Sequence, residues 1–234
     1  DSLGILRGAE NCNGSGDCRK PAEAGGTMCP SYRATRNEKD TTRARANALR
    51  EFLTNSDKKN RFDHQELKEV LDLCISCKGC NIECPSNVDM AAYKAEFEYQ
   101  YQKANGSSLR SKAFAYNTRL NKLAAHFPHV SNAIFKNKFT SGLIKSSLNI
   151  APKRQMPLVA EETVLKYYSK NHELLTNPIK TVFLFNDEFT NYLDSEVGKA
   201  ALKLLRALNY NVRIIDHPES GRTFLSKGFL EQAK

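Results

Sequence analysis

Apolar side chains recur at spacings of three and four residues from about residue 40 to residue 148, and this period predicts α-helices. Residues able to cap a helix precede three of these stretches, namely Asp40 or Thr41, Asp63, and Asn87 or Asp89. The third stretch is expected to end at Asn105-Gly106, and further helices near 108–126 and 130–148 are separated by Pro128. This part of the chain is therefore predicted to be helical throughout.

Residues 1–39 show little periodicity and are rich in Gly, Cys and Asn. A segment without an apolar face has little to bury. We therefore expect residues 1–39 to form a loop that something other than a hydrophobic core holds in place.

The pattern changes after residue 150. Pro152, Pro157 and the mixed polar residues between them indicate a linker, and 151–179 is predicted to hold this linker and a helix. A buried strand, a helix, a second strand and a second helix are predicted next, at Lys180–Phe185, Ser195–Leu208, Asn211–Ile215 and Thr223–Lys234. This β-α-β-α order predicts a parallel sheet with crossover helices. Because two strands do not make a stable sheet, we expect 180–234 to be the start of an α/β domain that continues in a longer protein.

The composition is that of a globular protein, with 40% hydrophobic residues and a mean hydropathy of −0.55. The longest uninterrupted apolar stretches are about five residues, whereas a membrane-spanning helix needs about 20. The sequence therefore predicts no membrane-spanning helix, and we expect a cytoplasmic protein.

The positive charge is concentrated in one stretch. The chain carries 35 Lys and Arg against 26 Asp and Glu, and residues 99–160 hold ten of these cations and no acidic residue. Such a stretch can be a solvated helical surface, or it can meet a partner domain, an anionic membrane surface or nucleic acid. No known nucleic-acid motif is present, so we expect nucleic acid to be the least favoured of these partners.

The cysteines carry the chemistry. The run Cys74-x2-Cys77-x2-Cys80-x3-Cys84-Pro85 has the spacing of bacterial-type ferredoxins, in which three thiolates bind one cluster and the cysteine before proline binds the other. A second run should therefore exist, and Cys12, Cys18 and Cys29-Pro30 lie upstream.

Matching the two runs by spacing places Ser15 where the middle cysteine would be. The thiols then sort into a complete [4Fe-4S] site of Cys29, Cys74, Cys77 and Cys80, and a second site of Cys12, Cys18 and Cys84. Three thiolates suit a [3Fe-4S] cluster, and they equally suit a [4Fe-4S] cluster whose fourth iron takes an oxygen ligand such as Ser15. Both forms stay open for the second site.

Zinc binding and disulfide bonding are two other uses of seven cysteines. Zinc also takes four thiolates, but zinc sites usually join two Cys-x2-Cys units across a longer gap. Disulfides would leave one thiol over and would need an oxidising compartment. Iron–sulfur ligation is therefore the preferred interpretation.

Four segments resemble the iron–sulfur region of large FAD-linked oxidoreductases similar to D-lactate, glycolate and D-2-hydroxyglutarate dehydrogenases: Cys12–Lys20, Gly26–Tyr32, Thr42–Ala46 and Cys74–Asp89. Two more, Thr181–Tyr192 and Ser220–Gly228, look like the cysteine-rich domain of the anaerobic glycerol-3-phosphate dehydrogenase C subunit and of heterodisulfide reductase. The resemblance implies an α-helical ferredoxin-like two-cluster domain over 1–150, followed by a partial α/β domain with a parallel sheet over 180–234.

The downstream segments depart from that cysteine-rich pattern. Glu188 stands where the family commonly has a cysteine, and Glu219-Ser220-Gly221 stands where it has Cys-Cys-Gly. No cysteine follows Cys84, so this part cannot hold a cluster through thiolates. Glu188, Glu219 and Arg222 are expected to play a structural role or to shape a polar pocket.

The resemblance also implies a function. In such enzymes a flavin takes a hydride from a 2-hydroxy acid, and iron–sulfur clusters relay the electrons to a quinone or a soluble acceptor. No flavin-binding or catalytic residue is expected in this chain, so FAD would lie on a missing or partner domain. The charges of Arg19, Lys20, Arg43 and Arg45 could offset the negative clusters or serve as plain surface residues.

The chain is thus expected to be an electron-transfer module that is not catalytic on its own, cytoplasmic or peripheral at the inner face of the membrane. The alternative is an iron–sulfur or zinc-stabilised binding or sensor domain. In that case the basic stretch 99–160 would bind nucleic acid or a protein partner.

Overall fold

The chain is mostly helical in the computed structural model, which describes residues 4–171 and 173–234. In chain order the helices are α1 (Gly4–Glu10), α2 (Pro30–Thr35), α3 (Thr42–Asn55), α4 (Gln65–Asp72), α5 (Gly79–Glu83), α6 (Met90–Asn105), α7 (Leu109–Ala115), α8 (Asn117–Ala124), α9 (Pro128–Lys136), α10 (Lys138–Ser147), α11 (Val164–Asn171), α12 (Glu188–Tyr192), α13 (Ser195–Ala207), α14 (Arg222–Ser226) and α15 (Leu230–Ala233). Two strands, β1 (Lys180–Phe183) and β2 (Tyr210–Arg213), pair in parallel, with Lys180 opposite Tyr210. The predicted order of a helical part followed by a parallel α/β part is confirmed.

The chain divides into two compact units. One contains the described residues up to Ser108 together with Phe224–Lys234, and the other contains Leu109–Thr223. Helices α7–α10 continue the helical periodicity of the first part, but they group by contact with the second unit, where α8 packs against α12. The domains predicted from the sequence, 1–150 and 180–234, are defined by motifs and periodicity rather than by contacts between residues. They stay a prediction.

Two long helices organise the first unit, and their caps follow the sequence. The Thr41 hydroxyl accepts the Ala44 N–H at the start of α3, and the Asp89 carboxylate accepts the Ala92 N–H at the start of α6. Gly106, with φ of 76°, ends α6 as expected. The buried apolar side chains of this unit form one core that includes Leu49, Leu67, Leu71, Met90 and Phe97.

The expectation for Asp63 is wrong. His64 precedes α4, and its side chain makes no capping hydrogen bond. The Asp63 carboxylate instead accepts the Nδ2–H of Asn105 at 2.8 Å, so a contact with the end of α6 takes the place of the cap.

The expectation that residues 1–39 lack a hydrophobic core is also wrong. This segment contains α1 and α2, and Ala9, Met28 and Tyr32 are buried in the same core as α3 and α6. Too few apolar residues lie here to produce a visible period, but Ile5 and Leu6 also pack against this core.

The second unit contains the sheet. Val164 of α11, Leu202 of α13 and Val212 of β2 form its small apolar core. The buried strand predicted at Lys180–Phe185 is shorter, ending at Phe183, and it is largely exposed, with Phe183 at 66%. Within the described part of the chain the sheet has only two strands, so each strand is an edge.

The last predicted helix, Thr223–Lys234, is divided into α14 and α15. Gly228 lies between them with φ of 70°, a left-handed conformation that ends a helix. A Cβ there would meet the Glu98 Cβ at 2.6 Å and the Tyr99 backbone N at 2.7 Å, so the break lets the chain approach α6 closely.

Among the described residues, no helix is both long and apolar enough to span a membrane.

Candidate metal centre

Four of the seven cysteines line one small cavity in the first unit. Its walls include the side chains of Cys29, Cys74, Cys77 and Cys80, the four thiols predicted to form the complete site. Ser76 and Lys78 have φ of 55° and 59°, so the backbone makes left-handed turns between successive cysteines of the run. Cys29 and Cys80 are buried, whereas Cys77 is exposed at the open side of the cavity.

The first backbone N–H groups of two long helices donate to two of these sulfurs. The Thr42 N–H of α3 lies 3.1 Å from the Cys29 Sγ, and the Thr42 hydroxyl lies 3.0 Å from the same atom. At the start of α6, the N–H groups of Met90 and Ala91 donate to the Cys80 sulfur. Burial raises the pKa of Cys80, and these two hydrogen bonds act in the opposite direction. Helix N-termini favour negative charge, so both helices are placed to stabilise thiolates.

Glu83, which lies in the run 74–84, is hydrogen-bonded to the loop that precedes Cys29. Its carboxylate accepts hydrogen bonds from the backbone N–H and the hydroxyl of Thr27 and from the Met28 N–H, directly before Cys29. These bonds, those of the Thr27 backbone first, lower the pKa of Glu83. Sequence reasoning missed this residue, because a lone glutamate between two cysteines gives no signal of a partner 55 residues upstream.

Gly79 permits the same close approach. A Cβ at this position would lie 2.9 Å from the Thr27 Oγ1 and 3.2 Å from the Met28 Cα, whereas a Cβ at Gly25 would have no heavy atom within 4 Å. A Cβ would therefore displace the Thr27 hydroxyl and push the Met28 backbone by a few tenths of an ångström.

Gly79→Ala is therefore expected to separate the 26–29 loop from α5 and to weaken cluster retention, while Gly25→Ala has little effect. The measurement is iron and acid-labile sulfide per chain after anaerobic purification, together with the rate of bleaching by a chelator. Equal iron content and equal bleaching rates in the two variants would show that the contact at Gly79 is not needed.

The second predicted site is less assembled. Cys18 is buried, Cys12 and Cys84 are half-buried, and Ser15 is exposed. Arg43 connects part of this group: its Nη1 donates to the Gly14 carbonyl, and the charges of Cys18 and Cys12 help to raise the pKa of the Arg43 guanidinium, after its hydrogen bond to Glu38.

The thiols of Cys18 and Cys29, predicted to serve different clusters, share a hydrogen bond. This bond lowers the pKa of Cys18 to about 6, and the backbone N–H and charge of Arg43 act in the same direction. The pKa of Cys29 is raised, first because its thiol is bonded to Cys18 and then because it is buried. The two ligand groups therefore meet at this pair, and the assignment of each cysteine to its cluster stays a prediction.

The residues fit iron–sulfur clusters by their chemistry. Thiolates are the protein ligands of such clusters, and hydrogen bonds to the sulfurs stabilise the bound form. Among the described residues, no three Cys, His, Asp or Glu side chains lie close enough together to hold a single metal ion. The four thiolates of a cubane bind four different irons, so they surround a volume rather than one point.

In the second unit, Glu188 forms a structural contact with the loop after β2. Glu188 is buried, and its carboxylate accepts hydrogen bonds from the Ser220 hydroxyl and the Ser220 N–H. Arg222 pairs with Asp187 at 3.0 Å and lies over the Phe189 ring. These polar contacts thus join the segments that follow β1 and β2.

The comparisons with known proteins agree with this chemistry. Residues 11–89, which contain all seven cysteines, match the family model described as a 4Fe-4S dicluster domain. Curated relatives named D-2-hydroxyglutarate dehydrogenase are 24% identical in Pantoea ananatis, 25% in Escherichia coli and 24% in Haemophilus influenzae, and each alignment covers 97% of this chain. The chain spans only 26% of the length of these relatives. No solved structure matches significantly. The resemblance to the iron–sulfur region of D-2-hydroxyglutarate dehydrogenases is confirmed.

Proposed function

From the premise of a 4Fe-4S dicluster domain, we propose that the chain is the electron-transfer module of an FAD-dependent oxidoreductase acting on a 2-hydroxy acid. It relays electrons from a flavin on another domain or subunit to a quinone or a soluble acceptor, and it has no turnover alone. The observation that carries the proposal is the cavity lined by Cys29, Cys74, Cys77 and Cys80, with helix N-termini donating to two of the sulfurs. The name of the relatives, D-2-hydroxyglutarate dehydrogenase, supports the substrate class.

Bound clusters would supply one-electron redox chemistry, and the chain's own residues set the conditions for it. The N–H groups of Thr42, Met90 and Ala91 stabilise negative charge on the sulfurs and so favour the reduced state. The core around α3 and α6 holds these donors in place, so little reorganisation accompanies a change of charge.

The experiment is anaerobic purification with iron and sulfide counting, followed by EPR of the oxidised protein and of the protein reduced with a photoreduced free flavin. Two clusters reduced by the flavin are expected. Zinc in place of iron, or clusters that the flavin and dithionite both fail to reduce, would contradict the proposal. A second function, nucleic-acid sensing, would require salt-dependent binding to DNA or RNA by the loaded protein.

Helices α7–α10 offer a surface for an anionic membrane, which would make the module peripheral at the inner face. Among the described residues α8 and α9 contain no buried side chain, and α10 buries only Ser141. Large apolar side chains are exposed along these helices, including Leu123 at 67%, Val130 at 60% and Phe139 at 75%. Basic residues lie among them without any acidic residue. Exposed apolar groups together with cations match a lipid surface, whereas a solvated or nucleic-acid-binding face does not need the apolar groups.

The protein is therefore expected to cosediment with vesicles containing phosphatidylglycerol and not with pure phosphatidylcholine vesicles. Each cation near an anionic surface contributes about 1 kcal/mol, so Lys136→Glu/Lys138→Glu should reduce binding strongly. Lys39→Glu/Lys59→Glu, which changes the charge equally at exposed sites of the first unit, is the control. Equal loss in both double variants would point to net charge rather than to this surface.

A further inference from the structure

Arg45 is the one large cationic side chain among the fully buried residues that the structure describes. It is 2% exposed, and it lines the same cavity as Cys29, Cys74, Cys77 and Cys80. Its Nε donates to the Val70 carbonyl at 3.1 Å, and its Nη1 donates to the Ser31 hydroxyl at 3.1 Å. Its Nη2 is buried without any hydrogen-bond partner. A buried donor left unpaired is costly, so the retention of this guanidinium beside four thiols points to a role for its charge.

Asp40 is the counter-ion of this guanidinium. It is 2% exposed, and its Oδ1 lies 3.7 Å from the Arg45 Nη2, beyond hydrogen-bond distance. The other carboxylate oxygen is held by the Thr35 hydroxyl at 2.6 Å, and the Asp40 carbonyl accepts the Ser31 hydroxyl. Asp40 therefore offsets the charge of Arg45 without taking the free N–H.

Resting on the proposed function, we propose that Arg45 and Asp40 together set the reduction potential of the cluster bound by Cys29, Cys74, Cys77 and Cys80. Arg45 contributes a desolvated positive charge, and Asp40 moderates that charge. Arg43 differs in this respect, because its guanidinium is bonded to Glu38 and the Gly14 carbonyl near Cys12 and Cys18.

The sign of each effect follows from charge. Reduction adds an electron to an already negative cluster, so a nearby cation stabilises the reduced state and raises the potential. Water screens this interaction little, since both side chains are buried. Removing the cation should lower the potential, and removing the anion should raise it. A residue pair with a purely structural role has no reason to give shifts of opposite sign.

The test is an EPR-monitored redox titration of the holo-protein for wild type, Asp40→Asn, Arg45→Met and the double variant. At a fixed potential, Asp40→Asn should increase the reduced-to-oxidised ratio of this cluster about tenfold or more, equivalent to about 59 mV for one electron. Arg45→Met should decrease the ratio by a similar factor. The double variant, in which both charges are absent, should return towards wild type. Arg50→Met, at an exposed position of the same helix, should leave the potential unchanged.

Two results would overturn the proposal: shifts of the same sign in the single variants, or an unchanged potential in Asp40→Asn with iron content intact. If Arg45→Met fails to retain the cluster, Asp40→Asn decides alone, because it preserves the shape of the side chain and leaves Arg45 in place. Absence of clusters from the wild-type protein would instead remove the proposed function itself, so the two failures are distinguishable.

Discussion

Replacement of Cys80 by serine is expected to remove one whole cluster, about four irons per chain, and to leave the second in place. Cys80 is 7% exposed, and the N–H groups of Met90 and Ala91 donate to its sulfur. A serine hydroxyl is a poorer iron ligand than a thiolate, and it would leave these helix N–H groups facing a neutral group. The measurement is iron and sulfide per chain, with the EPR spectrum of the reduced protein.

Cys84→Ser is the matched control, since it makes the same chemical change four residues later in the same run. Cys84 is predicted to serve the second cluster, so its replacement should spare the signal that Cys80→Ser removes. If both variants lose the same signal, the run 74–84 binds its own cluster and the crosswise assignment is wrong. The hydrogen bond between Cys18 and Cys29 makes this comparison necessary, because it brings together thiols assigned to different clusters.

The helical part of the fold could be predicted because its signals are local. Thr41 and Asp89 cap α3 and α6 through side chains three residues from their partners, and Gly106 ends α6 through its own backbone conformation. Asp63 does not cap α4 as its local sequence predicts, because its carboxylate accepts a hydrogen bond from Asn105, 42 residues away. The apolar run at Lys180 predicts the strand, but the burial of a strand depends on how many strands flank it, which a local pattern does not show.

The candidate site divides in the same way. Cysteine spacing identified the thiols that line the cavity, because the chemistry requires that residue type at that spacing. The residues that hold the cysteine loops in place could not be predicted from the sequence. Glu83, Gly79 and Thr42 act through contacts with residues far along the chain. In the sequence Arg45 is not distinguishable from Arg19, Lys20 and Arg43, and only its burial and unpaired Nη2 set it apart.

The remaining large effect is expected at Ser15, the position where the second run lacks a cysteine. If the second cluster is a [4Fe-4S] form with an oxygen ligand on its fourth iron, a mild oxidant should release about one iron per chain from wild type and produce an oxidised-state EPR signal. Ser15→Cys supplies the missing thiolate and should prevent both changes. If wild type instead holds a three-iron cluster as purified, the same variant should gain about one iron.

The loop that contains Ser15 contacts Arg43. Ser15 lies between Gly14, whose carbonyl accepts a hydrogen bond from Arg43, and Gly16, where a Cβ would lie 3.4 Å from the Arg43 Nη1. The charges of Cys12 and Cys18 help to raise the pKa of the same guanidinium, after its hydrogen bond to Glu38. Ser107→Cys is the control, because it adds an eighth cysteine far from the clusters. Ser107 follows the C-terminal end of α6, whereas Cys80 lies at the N-terminal end, and the helix between them is about 24 Å long. Protection in Ser15→Cys alone would establish position 15 as a ligand position. Equal behaviour of both variants would show that the fourth iron, where present, is bound elsewhere, and Cys12, Cys18 and Cys84 would then need another partner.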